Sequence, residues 1–89
     1  NDPALTAKAL KWLENAAGAS NVTVRKAMTG GEDFAFYAKE VPSLFFFVGG
    51  TPVGQNALEA APHHTPDFYV DDAAMLTGMK ALLNCTLGY

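Results

Sequence analysis

Along the first seventeen residues, apolar side chains return every three or four positions, at Leu5, Ala9, Trp12, Leu13 and Ala16. That spacing lays a single stripe along a helix of about 3.6 residues per turn. Asp2-Pro3 offers an N-cap oxygen and then a proline in the first turn, where its missing N–H costs nothing; Gly18 is a natural stop. The pattern predicts an amphipathic helix over residues 3–17. Residues 22–27 open β-branched (Val22, Thr23, Val24) and predict a short strand. Gly30-Gly31 break the chain before Glu32–Lys39, which suits a two-turn helix. Val41-Pro42 ends it, because proline disfavours helix at the residue before it. Leu44-Phe45-Phe46-Phe47-Val48 is an unbroken apolar run, and with no alternation it predicts a strand buried on both faces. Residues 50–67, rich in Gly, Pro, Asn and Thr, predict a long irregular connection of the kind that is usually functional or mobile. Asp71-Asp72 then cap a last helix whose apolar face is Met75, Leu76, Met79, Leu82, Leu83 and Leu87.

The expected order is therefore helix, strand, short helix, strand, long loop, helix, an α/β class. Two strands make a poor sheet, and a strand buried on both faces needs neighbours that these residues do not supply. The expectation is a single unit, 1–89, that is incomplete by itself, with partner strands on a further segment or another chain.

Composition narrows the function without choosing it. The 89 residues are 49% hydrophobic and 17% charged, as in ordinary globular proteins. Six basic residues face nine acidic ones, and the cations are scattered. Phosphate neutralisation needs clustered cations, so nucleic acid is not an expected partner. Nor is a membrane, because no apolar run approaches the roughly 20 residues of a spanning helix. The opening Asn1-Asp2-Pro3 is not a basic-then-apolar leader, and the first residue is not Met, which admits a fragment or a processed product. The lone Cys85 has no internal disulfide partner and leaves the redox compartment open.

Two constellations carry candidate chemistry. In Ala61-Pro62-His63-His64-Thr65-Pro66-Asp67-Phe68, imidazoles are the commonest neutral ligands of zinc-like ions, and flanking prolines stiffen the loop. Neighbours in an extended segment point opposite ways, so His63 and His64 are not expected to share one ion. By composition alone, two solvated loop histidines are the commoner outcome. In Gly30-Gly31-Glu32-Asp33-Phe34, paired glycines expose N–H groups that suit an anionic substrate group, and the carboxylates suit a metal shell. Helix capping is the plainer explanation of the same residues. Phe34, Phe36, Tyr37 and Phe45–Phe47 suit either an acyl pocket or core. Cys85, among apolar neighbours, reads as a buried inert thiol. A catalytic zinc needs about three protein ligands, so a complete centre is not expected from these residues.

Taken together, the residues resemble the metal-dependent amidohydrolases, which include aminoacylases, hippurate hydrolase, plant auxin-conjugate hydrolases and related zinc carboxypeptidases. Asn1–Leu5 resembles the return from the family's inserted lid domain. Gly31-Glu32-Asp33-Phe34-Ala35-Phe36-Tyr37 resembles its Glu-Asp-Phe motif, and Val41–Gly49 the strand that follows. His64-Thr65-Pro66, with Phe68, Asp71 and the last helix, resembles its final metal-ligand segment. The resemblance covers nearly the whole chain. It implies a mixed-sheet α/β sandwich interrupted by a lid or dimerisation domain, and two divalent metals (zinc, manganese, cobalt or nickel). By the resemblance His64, not His63, maps onto the ligand, and the general base and most remaining ligands are expected upstream. Gly30, Gly31, Glu32, Asp33 and His63 keep supporting or pocket roles. The implied substrates are N-acyl amino acids or small peptides. The implied partners are the remainder of the same catalytic domain and, for the full-length protein, a second copy in a homodimer. Peptide carboxypeptidase or deacetylase chemistry is a close alternative. A truncated non-catalytic module that binds a partner through a sheet edge is a distant one.

Overall fold

The computed structural model describes residues 1–89 and contains three α-helices: α1 (Pro3–Ala17), α2 (Phe34–Glu40) and α3 (Ala73–Gly88). One 3-10 turn, Ala19–Asn21, follows α1. The ends of α1 form for the reasons visible in its residues. The Asp2 carboxylate accepts from the Leu5 N–H at 2.7 Å, Pro3 occupies the first turn, and Gly18 ends the helix at φ 86°. At α3 the capping carboxylate is that of Asp71, which accepts from the Ala73 N–H at 2.9 Å, while Asp72 makes no side-chain cap. The short helix α2 starts two residues later than its sequence suggests, at Phe34.

The expected α/β sheet is not present. Neither 22–27 nor 44–48 forms a strand, and the order is wholly helical. A strand is defined by a second backbone hydrogen-bonded beside it, and no such backbone lies next to either segment. What the second segment has instead is the N-terminus. Asp2 N–H donates to the Ser43 carbonyl at 2.8 Å. The Asn1 side-chain amide donates to the Phe45 carbonyl and accepts from the Phe45 N–H, both at 2.8 Å. One amide side chain thus stands in for a neighbouring strand at a single residue.

Packing is carried by α1 against α3. Ala9 is fully buried and Ala81 is 4% exposed. The less exposed positions of α3 are Ala74, Thr77, Gly78, Ala81, Asn84 and Cys85, a helical stripe of small residues that lets the two backbones approach closely. Asn84 Nδ2 donates to the Trp12 carbonyl at 3.1 Å, and Gly88 faces the Trp12 indole where a Cβ would collide. The residues expected to be the buried face of α3 lie on its other side. Met75, Leu76, Met79, Leu82, Leu83 and Leu87 are all more than half exposed. With Lys80 as its sole charge, α3 is apolar nearly all round, the pattern of a helix covered on every side.

The surface makes the same point quantitatively. The chain exposes 7394 Å², whereas a folded monomer of this mass exposes about 5,000 Å². Its radius of gyration is 14.1 Å, against about 12 Å for a compact domain of this length. Only Ala9, Ala81 and Ser43 are buried, so these residues do not close a core by themselves.

Small residues at the seam, and not large ones beyond it, should set the stability of this chain. Ala81→Leu is expected to cost about 1–3 kcal/mol by overpacking, whereas Leu82→Ala should shift stability by less than about 0.5 kcal/mol. Urea unfolding of the chain measures both, and comparable losses would contradict the seam.

Candidate functional site

The candidate site lies on the loop between Gly50 and α3. Its two ends are tied together: the Asp71 N–H donates to the Gly50 carbonyl at 2.8 Å. A Cβ on Gly50 would meet Val70 Cγ1 at 2.9 Å, so glycine permits this close approach. Within the loop, Thr65 Oγ1 donates to the Pro62 carbonyl at 2.7 Å and closes a turn around His63 and His64. A second turn follows at once, with the Phe68 N–H donating to the Thr65 carbonyl at 3.2 Å.

His64 is the one non-glycine residue with positive φ, at 64°. The histidine pair therefore occupies a turn and not the extended segment expected from its residues. The rings stand 6.4 Å apart at 77°. His63 packs edge-on against Phe68, with centroids 4.7 Å apart at 75°. The two imidazoles, interchangeable by composition, are thus different: His63 has an aromatic partner, and His64 has the unusual backbone. Both are exposed. Phe68 was not singled out for this contact by sequence reasoning; an aromatic five residues beyond a histidine is too weak a signal.

As a metal site the loop is partial. An exposed imidazole fits one ligand position of a divalent cation. No three His, Cys, Asp or Glu side chains come together in the chain, so the residues here do not fit a whole centre.

Gly30, Gly31, Glu32 and Asp33 are all exposed and precede α2. Glu32 Oε1 accepts from the Phe34 N–H at 3.3 Å, and Asp33 makes no side-chain cap. A Cβ on Gly30 or Gly31 would meet nothing within 4 Å, and neither glycine has the positive φ that demands one. Their conformation does not require glycine.

The aromatic residues divide. Tyr37, Phe34, Phe45 and Phe47 form a row with successive centroids 6.1, 5.4 and 5.2 Å apart, and Arg25 lies over Phe47 at 5.6 Å. Phe36 stands outside the row, with Lys39 5.0 Å over its ring. An open depression of about 370 Å³ is lined by Asn1, Asp2, Lys39, Glu40, Pro42 and Ser43, among others. Neither histidine lines it, and it has no acyl-pocket character. Cys85 is free and half-buried, and burial pushes its thiol pKa up.

Comparison with known proteins places this sequence in a family. The family model of peptidase family M20/M25/M40 matches residues 1–87, and the chain belongs to that family. A Bacillus subtilis (strain 168) protein named as an amidohydrolase, YhaA, is 35% identical over all of this chain and 22% of its own length. The IAA-amino acid hydrolase ILR1-like 6 of Arabidopsis thaliana is 34% identical over 68% of the chain and 13% of its own length. An N-acetyldiaminopimelate deacetylase of Geobacillus sp. (strain WCH70) is 34% identical over 71% of the chain and 17% of its own length. The chain therefore spans between 13% and 22% of the length of these three relatives. No solved structure matches.

The raised Cys85 pKa gives a chemical expectation, because the thiolate is the reactive form. Alkylation by iodoacetamide at pH 8 should be slower in the native chain than in urea, and its rate should rise at a higher pH than that of a cysteine peptide. Equal native and unfolded rates would contradict the burial.

Proposed function

We propose that these residues are the C-terminal segment of the catalytic domain of a metal-dependent hydrolase that cleaves the amide bond of N-acyl amino acids or related small peptides. The observation that carries the reading is the family match over residues 1–87, joined to relatives named for hydrolysis of an amino acid conjugate and for deacetylation of an amino acid. The deacetylase names support removal of a small acyl group as the second reading.

In this proposal His64 contributes one ligand to a site of two divalent cations (zinc, manganese, cobalt or nickel), and the other ligands and the general base lie in the remainder of the same catalytic domain. Bound there, such cations would supply Lewis-acid polarisation and acidify water. His64 holds its imidazole in solvent at a turn, ready to complete a centre at low ordering cost. Gly30 and Gly31 keep the wall beside α2 free of side chains, and Glu32 and Asp33 have a supporting part at most. The lid or dimerisation domain and the upstream segment belong to the whole protein, which pairs as a homodimer. The surface excess and the uncovered face of α3 support completion by further chain. The 89 residues alone are inactive.

The test uses the full-length protein with a panel of N-acyl amino acids. His64→Ala should lower kcat/KM by at least the roughly 10–100-fold that loss of an outer-shell partner costs at metal sites, and reduce bound metal. His63→Ala should do less. Full activity in His64→Ala would refute the ligand assignment, and a natural product of only 89 residues would favour a non-catalytic binding module.

Gly31→Ala separates a pocket role from a structural one. Its stability should rise by about 0.4–1 kcal/mol or hold level, since the backbone admits alanine, while KM for the acyl amino acid increases. Unchanged KM would remove Gly31 from the substrate pocket.

A further inference from the structure

We infer that His63 is a positioning residue for its neighbour: its ring, packed on Phe68, holds the double turn in which His64 takes a left-handed backbone. The inference rests on the proposed ligand role of His64 and adds a device that the ligand role does not require.

A left-handed conformation crowds Cβ against the following carbonyl oxygen, and it persists where its surroundings over-determine it. His64 stands third in the segment from Pro62 to Thr65, with φ 64°, between the two groups that the Thr65 hydroxyl joins. Histidine enters this region more readily than most non-glycine residues, yet the conformation still has a cost that contacts around it offset. Three restraints are available. Pro62 and Pro66 fix their own φ on either side. Thr65 binds back to the Pro62 carbonyl at 2.7 Å, closing the first turn. The Phe68 N–H bonds to Thr65 at 3.2 Å, closing the second.

None of these couples one turn to the other through side chains. The His63–Phe68 contact does, because it joins the second position of the first turn to the last of the second, at 4.7 Å and 75°. An edge-to-face pair of this kind stabilises beyond its buried area and so offsets the cost at His64. The contact needs an aromatic ring and not an imidazole nitrogen. It also occupies the His63 ring, which leaves the His64 imidazole as the uncommitted one. A loop with two adjacent histidines is thereby built to present one.

The experiment is calorimetric titration of Zn²⁺ into the metal-free full-length protein, with melting temperatures to establish that each variant is folded. His63→Ala and Phe68→Ala should each weaken Zn²⁺ at one site about 10-fold or more, the range found for outer partners of metal ligands, with stoichiometry at saturation unchanged. His63→Phe should bind within about 2-fold of wild type, because the ring contact survives. If His63→Phe is as weak as His63→Ala, the nitrogen matters and the positioning role is overturned. Wild-type affinity in His63→Ala overturns it equally. His64→Ala tests the ligand assignment separately, by loss of one metal equivalent. A readout independent of metal is amide exchange at Phe68 in the metal-free protein: about 10-fold faster in His63→Ala and unchanged in His63→Phe. Unchanged exchange in His63→Ala refutes the clamp whatever the metal result.

Discussion

Ala9 on α1 and Ala81 on α3 are the two buried apolar residues, and the small side chains at these positions let the two packed helices approach closely and carry the rest of the chain. Trp12 lies against Gly88 because no Cβ intervenes, and Asn84 reaches the Trp12 carbonyl from the same side. Val48 lies over Gly78, at a distance where a Cβ would make ordinary van der Waals contact. The N-terminal residues, carried by α1, bind Ser43 and Phe45. Small residues are thus the organising feature: each marks a place where backbone or ring must approach. The consequence is an asymmetric α3, whose large side chains all project from the face that α1 does not cover.

The loop bearing the histidines inherits its position from that arrangement. Its base is closed by the Asp71–Gly50 hydrogen bond, immediately ahead of α3, so the helix fixes where the loop starts and ends. Closing a loop at its base lowers the entropy of everything within it. Consecutive turns then restrict the segment from Pro62 to Phe68. The loop held in this way keeps both imidazoles exposed. No three His, Cys, Asp or Glu side chains come together in the chain, and its exposed surface exceeds that of a compact monomer of its mass.

Several features were written in local residues, and the structure keeps them. Asp2-Pro3 and Gly18 bound α1 because capping and glycine conformation depend on nearest neighbours alone. The irregular loop over 50–67 and the helical character of α3 follow in the same way from turn residues and periodicity. The family was legible too, since the motifs and their order are properties of the sequence.

Other features depend on what lies opposite, and no local pattern contains that. Leu44–Val48 has the composition of a doubly buried strand, but a strand also needs a neighbouring backbone, and here Asn1 is the neighbour at a single residue. The large apolar residues of α3 read as its buried face because hydrophobicity favours burial; in the fold the close approach to α1 selected the small ones. His63 and His64 are the same residue in sequence. Only the turn, through the φ of one and the aromatic contact of the other, made them unlike. Capping, periodicity and motif order were therefore settled by the sequence, while pairing, facing and the distinction between the histidines waited on tertiary contacts, which join residues that local rules treat separately.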